Sequence, residues 1–151
     1  MIEVYNIAET EQIKVKYLRD IKPITVEKYG DWIDLRAGKR FDLKPNTFYL
    51  IPLGVAIELP KGYEAIIAPR SSSFKKWGFI QTNSIGIIDE TYCGDNDEWM
   101  LPIYATRECT IYQSDRICQF RIFKHQPPVV LIDCDEFGNN NRGGFGSTGV
   151  E

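Results

Sequence analysis

Between Phe48 and Leu59 every second residue is apolar (Tyr49, Ile51, Leu53, Val55, Ile57, Leu59) until Pro60-Lys61-Gly62 ends the run. A period of two marks a strand that buries one face. Shorter apolar runs follow at 64–68, 86–88, 99–104, 117–123 and 129–132. Turn residues separate them at Lys44-Pro45-Asn46, Cys93-Gly94-Asp95-Asn96 and Gln113-Ser114-Asp115. Many short strands at near-regular spacing predict a β-sandwich or barrel. One stretch reads otherwise. Ser71-Ser72-Ser73 offers N-cap residues, Phe74-Lys75-Lys76-Trp77 one or two helical turns, and Gly78 a C-cap.

The end of the chain differs in kind. Residues 138–149 hold five glycines, three consecutive asparagines and a single large apolar side chain, Phe145. Such a segment cannot bury enough surface to offset its ordering entropy. The reading is therefore a barrel domain over residues 1–137 and a mobile arm over 138–151. Composition leaves open whether the arm frays or closes over a ligand.

Composition narrows the function classes. The chain has 151 residues, 18 Lys plus Arg against 21 Asp plus Glu, and a net charge of −3. One domain is expected from that length. The mild acidity lacks the basic footprint of a duplex-binding protein, so no nucleic-acid partner is expected. No apolar run approaches the ~20 residues of a membrane span. Residues 1–10 carry Glu3 and Glu9 and lack the order of a signal peptide, which predicts a soluble cytoplasmic protein. The four cysteines lie nine or more residues apart, with no C-x-x-C, and predict free buried thiols. The lone histidine, His125, reads as a surface residue, so Ser-His-Asp and Cys-His chemistry is not expected.

Three clusters could carry chemistry. In Pro69-Arg70-Ser71-Ser72-Ser73 a guanidinium and hydroxyls meet the start of the short helix, either as a phosphate site or as a plain N-cap with a surface arginine. Asn83 through Gly94 reads as a hairpin in which Asp89 follows Ile87-Ile88 at the mouth of the core. There the carboxylate could hold a water as general base, or cap turn N–H groups. Asp95, Asp97 and Glu98 form an acidic run without the glycine and terminal Glu of a calcium loop, which favours a solvated loop. Gly143-Gly144-Phe145-Gly146 is no P-loop, since no G-K-[ST] follows it.

Taken in order, Asp34-Leu35-Arg36-Ala37, Pro69-Arg70-Ser71-Ser72, Asn83 to Gly94, Asp115-Arg116-Ile117-Cys118-Gln119 and Arg142 to Gly149 resemble the five motifs of the homotrimeric dUTP pyrophosphatases (dUTPases), in the form found in phages and Gram-positive bacteria. The resemblance implies an antiparallel β jelly roll and a trimer with sites at its subunit interfaces. The reaction it implies is hydrolysis of dUTP to dUMP and pyrophosphate. That reaction keeps uracil out of DNA and supplies dUMP for dTMP synthesis.

The same resemblance implies the roles of residues. Asp89 would deprotonate the water that attacks the α-phosphorus. Tyr92 would pack under the deoxyribose and exclude a 2′-hydroxyl. The backbone near Asn83, Gly86 and Ile88 would read the uracil edge. Arg70, Ser71, Ser72 and Gln119 would meet the phosphates. The arm, closing over a neighbouring subunit's site, would bring Phe145 over the base and Arg142, Ser147 and Thr148 to the γ-phosphate, with Gly146 also binding substrate. Mg²⁺ would arrive bound to the triphosphate, with no direct protein ligand and with Asp34 near its water shell or supporting an arginine. Trp99 reads as a barrel residue. Two alternatives stand beside this reading: a dCTP deaminase of the same superfamily, and a phage-type regulatory protein that also binds a repressor, with the acidic run as its surface.

Overall fold

The computed structural model describes residues 10–146 and residue 149. It contains eleven strands and one short helix among those residues. In chain order they are β1 (Lys14–Tyr17), β2 (Ile33–Arg36), β3 (Phe41–Leu43), β4 (Thr47–Pro52), β5 (Val55–Glu58) and β6 (Tyr63–Pro69). Then come α1 (Ser73–Trp77), β7 (Phe79–Gln81), β8 (Gly86–Ile88), β9 (Met100–Ala105), β10 (Cys109–Ile111) and β11 (Arg116–Lys124). Every strand pairing is antiparallel. One four-stranded sheet runs β2-β11-β6-β8 and a three-stranded sheet runs β4-β9-β7. The pairs β1-β5 and β10-β3 complete the jelly roll.

The core fills from the inward faces of these sheets, with Leu35, Ile51, Ile67, Leu101, Ile103 and Phe120 all buried. Trp99 is fully buried, as the sequence predicts, and meets the Phe120 ring edge-on at 5.2 Å between centroids. Phe120 belongs to the long strand β11, which carries a bulge between Arg116 and Cys118. The extra residue lets neighbours Ile117 and Cys118 both be buried, which strict alternation forbids. The predicted helix forms as α1, and Gly78 ends it in the left-handed conformation, its N–H returning to the Phe74 carbonyl.

Several expectations are corrected. The alternating run 48–59 is two strands, because Gly54, at a φ of 74°, turns the chain after Leu53. The stretch from Asn83 to Gly94 is not a hairpin. β7 pairs with β9 while β8 pairs with β6, so the turn between them carries the chain from one sheet to the other. The apolar residues Val129–Ile132 form no strand, enter none of the strand pairings among the described residues, and stand 65–91% exposed. All four thiols are free, yet only Cys118 is buried; Cys93 and Cys134 are exposed and Cys109 is intermediate. No helix among the described residues is long and apolar enough to cross a membrane.

Candidate active site

The four-stranded sheet sets out the predicted residues in two groups. At one end, Asp34 of β2 lies opposite Gln119 of β11, and Gln119 lies opposite Ala68 of β6, just before Pro69 and Arg70. Asp34 binds both neighbouring arginines: Arg70 Nε stands 2.9 Å from its Oδ1 and Arg116 Nη1 3.3 Å from its Oδ2. Arg70 also donates to the Arg116 carbonyl at 3.2 Å, and Gln119 Nε2 to the Pro69 carbonyl at 3.1 Å. One carboxylate thus holds two guanidinium groups side by side at a partly exposed surface, an arrangement suited to an anion with several negative oxygens. The pairing of Arg116 with Asp34 was not foreseen from the sequence. The register of β2 against β11 creates it, and no local pattern announces it.

Ser71 and Ser72 follow at the start of α1, and neither caps the helix. Ser72 occupies the N-cap position without a side-chain cap bond. The buried hydroxyl is that of Ser73, which accepts the Arg70 N–H at 3.0 Å and donates to the Ile117 carbonyl at 2.9 Å. Ser73 thereby ties the arginine's backbone to the core strand.

The second group surrounds β8. Gln81, only 5% exposed, donates through Nε2 to the Ile67 carbonyl at 3.1 Å and to Asn83 Oδ1 at 2.9 Å. Those bonds leave the Asn83 amide to be presented through its NH₂ group. Gly86 is buried beside it, and a Cβ there would come within 3.3 Å of Ile67 Cβ and 3.5 Å of Asn83 Nδ2. Ile88 is half-buried at the end of β8. Gln81 is a residue that sequence reasoning missed: a glutamine at the end of an apolar strand gives no sign that it is buried and bonded to the residue two places on.

Asp89 is exposed at the surface and not set into the mouth of the core. It caps the following turn: Oδ1 accepts the Thr91 N–H at 2.8 Å and the Thr91 hydroxyl at 2.6 Å. These bonds hold the Asp89 carboxyl below the usual range, with His125 adding a smaller effect. Glu64, Asp89, His125 and Gln126 line one surface pocket, and His125 Nε2 stands 3.6 Å from Glu90 Oε2. Tyr92 follows with an exposed ring, its hydroxyl donating to the Glu98 carbonyl at 2.9 Å.

The acidic run is not simply a solvated loop. Glu98 takes Arg19 in two bonds, at 2.7 and 3.1 Å, and accepts the Gly54 N–H at 2.9 Å. Asp97 accepts the Gly94 N–H at 2.8 Å. Among the described residues no three His, Cys, Asp or Glu side chains gather as a group that could hold a metal ion. Arg142, Phe145 and Gly146 are exposed, while Ser147 and Thr148 lie outside the described residues.

Arg70 and Asp89 stand at opposite ends of β6, since Ala65 pairs with Ile88 and Arg70 follows Pro69. Six residues of strand separate them by about 20 Å. One chain therefore does not bring its cationic group and its carboxylate together.

Comparisons with known proteins bear on the fold and the family. The dUTPase family model matches residues 22–149. An SPbeta prophage-derived deoxyuridine 5'-triphosphate nucleotidohydrolase of Bacillus subtilis is 56% identical over 141 residues, covering 93% of this chain and 99% of the relative. A Staphylococcus bacteriophage 80alpha dUTPase mutant, solved with dUpNHpp, superposes with a TM-score of 0.76 at 22% identity, over 93% of this chain and all of that one. A mutant dUTPase from phage phi11 of S. aureus, whose structure reveals the coordination of a structural Mg(II) ion, superposes at 0.71 with 18% identity, over 83% of this chain and 98% of that one. With its motifs, its jelly roll and this match over most of its length, the chain belongs to the dUTPase family.

Proposed function

We propose that the protein hydrolyses dUTP to dUMP and pyrophosphate at sites completed between copies of the chain in a homotrimer. The observation that carries the reading is the separation of the two groups along β6. A dUTP molecule must touch cations at its phosphates and a general base at its α-phosphorus simultaneously. With Arg70 and Asp89 about 20 Å apart in one chain, a second copy must bring its own group across.

In this reading Asp89 orients a water and takes its proton as the oxygen attacks the α-phosphorus. The bond from that phosphorus to the bridging oxygen breaks, and pyrophosphate leaves. The Thr91 bonds occupy Oδ1 and leave Oδ2 outside them to face the water. A carboxylate held below its usual range is ionised at neutral pH, so it is ready to accept. Arg70, Ser71, Ser72 and Gln119 bind the phosphates, with Arg70 aimed by Asp34. Asn83, Gly86 and Ile88 read the uracil edge, and Tyr92 lies under the deoxyribose.

The arm from residue 138 onward closes over the ligand, bringing Arg142, Phe145, Gly146, Ser147 and Thr148. Closure excludes water and fixes the in-line geometry, the main contribution a protein makes to phosphate chemistry. Magnesium enters as part of the substrate, shielding the triphosphate charge. Both Asp34 oxygens are engaged by arginines, which makes that residue a support for the cationic group. A cytoplasmic location follows from such a substrate.

The test is pyrophosphate release from dUTP, dTTP, dCTP and UTP, each with Mg²⁺ and with EDTA. Rapid release from dUTP alone, abolished by EDTA, is expected. Deamination of dCTP without pyrophosphate release would assign the chain to deaminase chemistry instead. A sedimentation measurement giving a monomer that still turns over dUTP would overturn the shared site.

A further inference from the structure

The sugar-facing residue is held by a device outside the five motifs. Tyr92 donates its hydroxyl to the backbone carbonyl of Glu98 at 2.9 Å. The next residue, Trp99, is buried in the core and locked to the barrel on both sides of its peptide: its N–H donates to the Val55 carbonyl and its carbonyl accepts from Leu53, each at 2.9 Å. The Glu98 side chain, 12% exposed, turns the other way. It takes Arg19 in a two-bond ion pair and the Gly54 N–H at the turn between β4 and β5. Arg19 crosses Gly38 so closely that a Cβ there would stand 2.6 Å from its Cδ and 2.8 Å from the Pro52 carbonyl oxygen. Glycine is what leaves the channel open for the arginine.

Resting on the reading that Tyr92 faces the sugar, we infer that the Arg19–Glu98 ion pair is the positioning element that fixes the Tyr92 ring and so sets discrimination between deoxyribose and ribose. The physics is short. An aromatic ring excludes a hydroxyl only if it cannot retreat. Tyr92 keeps 40% of its surface exposed, so packing covers the ring only in part. Among the described residues its hydroxyl is tethered to the Glu98 carbonyl, and that carbonyl is fixed by Trp99 behind it and by the Arg19–Glu98–Gly54 bonds beside it. A doubly bonded arginine–carboxylate pair holds geometry better than a single bond, and here Glu98 is 12% exposed while Arg19 keeps solvent contact at 37%. The two sites are joined by side chains and backbone in contact, so their effects must couple. Arg19 and Glu98 touch neither substrate nor reacting atoms; they act through Tyr92.

The experiment measures kcat/KM for dUTP and UTP in wild type, Arg19→Met, Glu98→Gln, Tyr92→Phe and the double variant Arg19→Met with Tyr92→Phe. Expected is a fall in the dUTP-to-UTP ratio of about tenfold in each single variant, the size of one lost hydrogen-bond constraint. The double variant should fall no further than Tyr92→Phe alone, because both act through one tether. Arg19→Lys, which keeps one bond to Glu98, should recover part of the ratio. Equal losses on both substrates would mark a merely structural ion pair and overturn the inference, as would additive effects in the double variant. Tyr92→Phe leaves the ion pair intact, so a ratio unchanged in that folded variant also overturns it. A wild type that turns over dUTP without preferring it to UTP overturns this inference alone. A wild type without dUTP turnover overturns the proposed function and this inference with it.

Discussion

Thr91 donates twice to the same oxygen of Asp89, from its backbone N–H at 2.8 Å and its hydroxyl at 2.6 Å. Both bonds favour the ionised carboxylate and hold the Asp89 carboxyl below its ordinary range. A depressed value means that the base stays charged as pH falls and is lost only once pH drops through that lowered value. The kcat/KM profile should therefore keep its plateau down to the lower carboxylate range. Thr91→Val removes the hydroxyl and keeps the N–H, so the acid limb should move toward higher pH. A limb at the same pH in wild type and variant would separate Asp89 from the profile.

Asp89→Asn keeps the size of the side chain and removes its charge. Binding of dUTP should persist while kcat drops by about a hundredfold or more, the loss expected when a general base is removed. Equilibrium binding of a non-hydrolysable dUTP analogue alongside single-turnover kinetics checks both halves. Turnover near wild type would remove Asp89 from its role.

Gln81 fixes which way the Asn83 amide points, because its Nε2 donates to Asn83 Oδ1 at 2.9 Å. With that oxygen taken, Asn83 offers NH₂ hydrogens, which suit a carbonyl oxygen of uracil and repel the exocyclic amine of cytosine. Gln81→Leu should free the amide to rotate and narrow the preference for dUTP over dCTP by on the order of tenfold. Competition between the two nucleotides in one reaction measures the ratio directly.

Much of the fold is legible in the sequence. Strands β4, β5, β6, β8, β9 and β11 follow runs of alternating or continuous apolar residues, while the three-residue strands β7 and β10 are too short to show a period, and α1 lies between its serines and Gly78 as those residues dictate. What escaped is non-local. Leu53-Gly54 interrupts an alternation that looks unbroken, because a glycine in a strand pattern is silent about its φ. Asp89 reads as a core-mouth residue from Ile87-Ile88, yet Ile87 points outward and 65% exposed, which carries the next residues into an exposed turn. Glu98 reads as solvated by its acidic neighbours, while its partner Arg19 lies 79 positions away. The Asp34–Arg116 pair likewise depends on strand register across 82 positions. Sequence periodicity reports which face is wet, and long-range pairing decides which charges meet.

The described part of the arm, residues 138–146, adds no residue to the buried core. Residues 125–146 contain no strand or helix, and their side chains stand exposed. Deleting 143–151 should leave a folded trimer of unchanged thermal midpoint with greatly reduced dUTP turnover. Scanning calorimetry with sedimentation and a pyrophosphate assay tests this. An unfolded or monomeric truncation would show that the arm carries part of the assembly.

The Asp34 carboxylate is the point at which stability and binding separate. It bridges Arg70 and Arg116 from the strand edge, where all three side chains keep some solvent contact. Ion pairs so placed contribute little to folding, typically under ~1 kcal/mol, because water screens them and ordering long side chains opposes them. Their geometry matters more than their energy. Without Asp34, Arg70 keeps its bond to the Arg116 carbonyl but loses the partner that aims Nε. Two like charges then repel across the gap. Asp34→Ala should therefore shift the unfolding midpoint only slightly, while kcat/KM for dUTP falls by on the order of tenfold to a hundredfold, as misplaced phosphate contacts do. Asp34→Asn keeps the shape and restores part of the aim without the charge, so it should lie between the two. If both variants lost stability and activity in proportion, the bridge would be a strut of the fold and not the support of a phosphate-binding arginine.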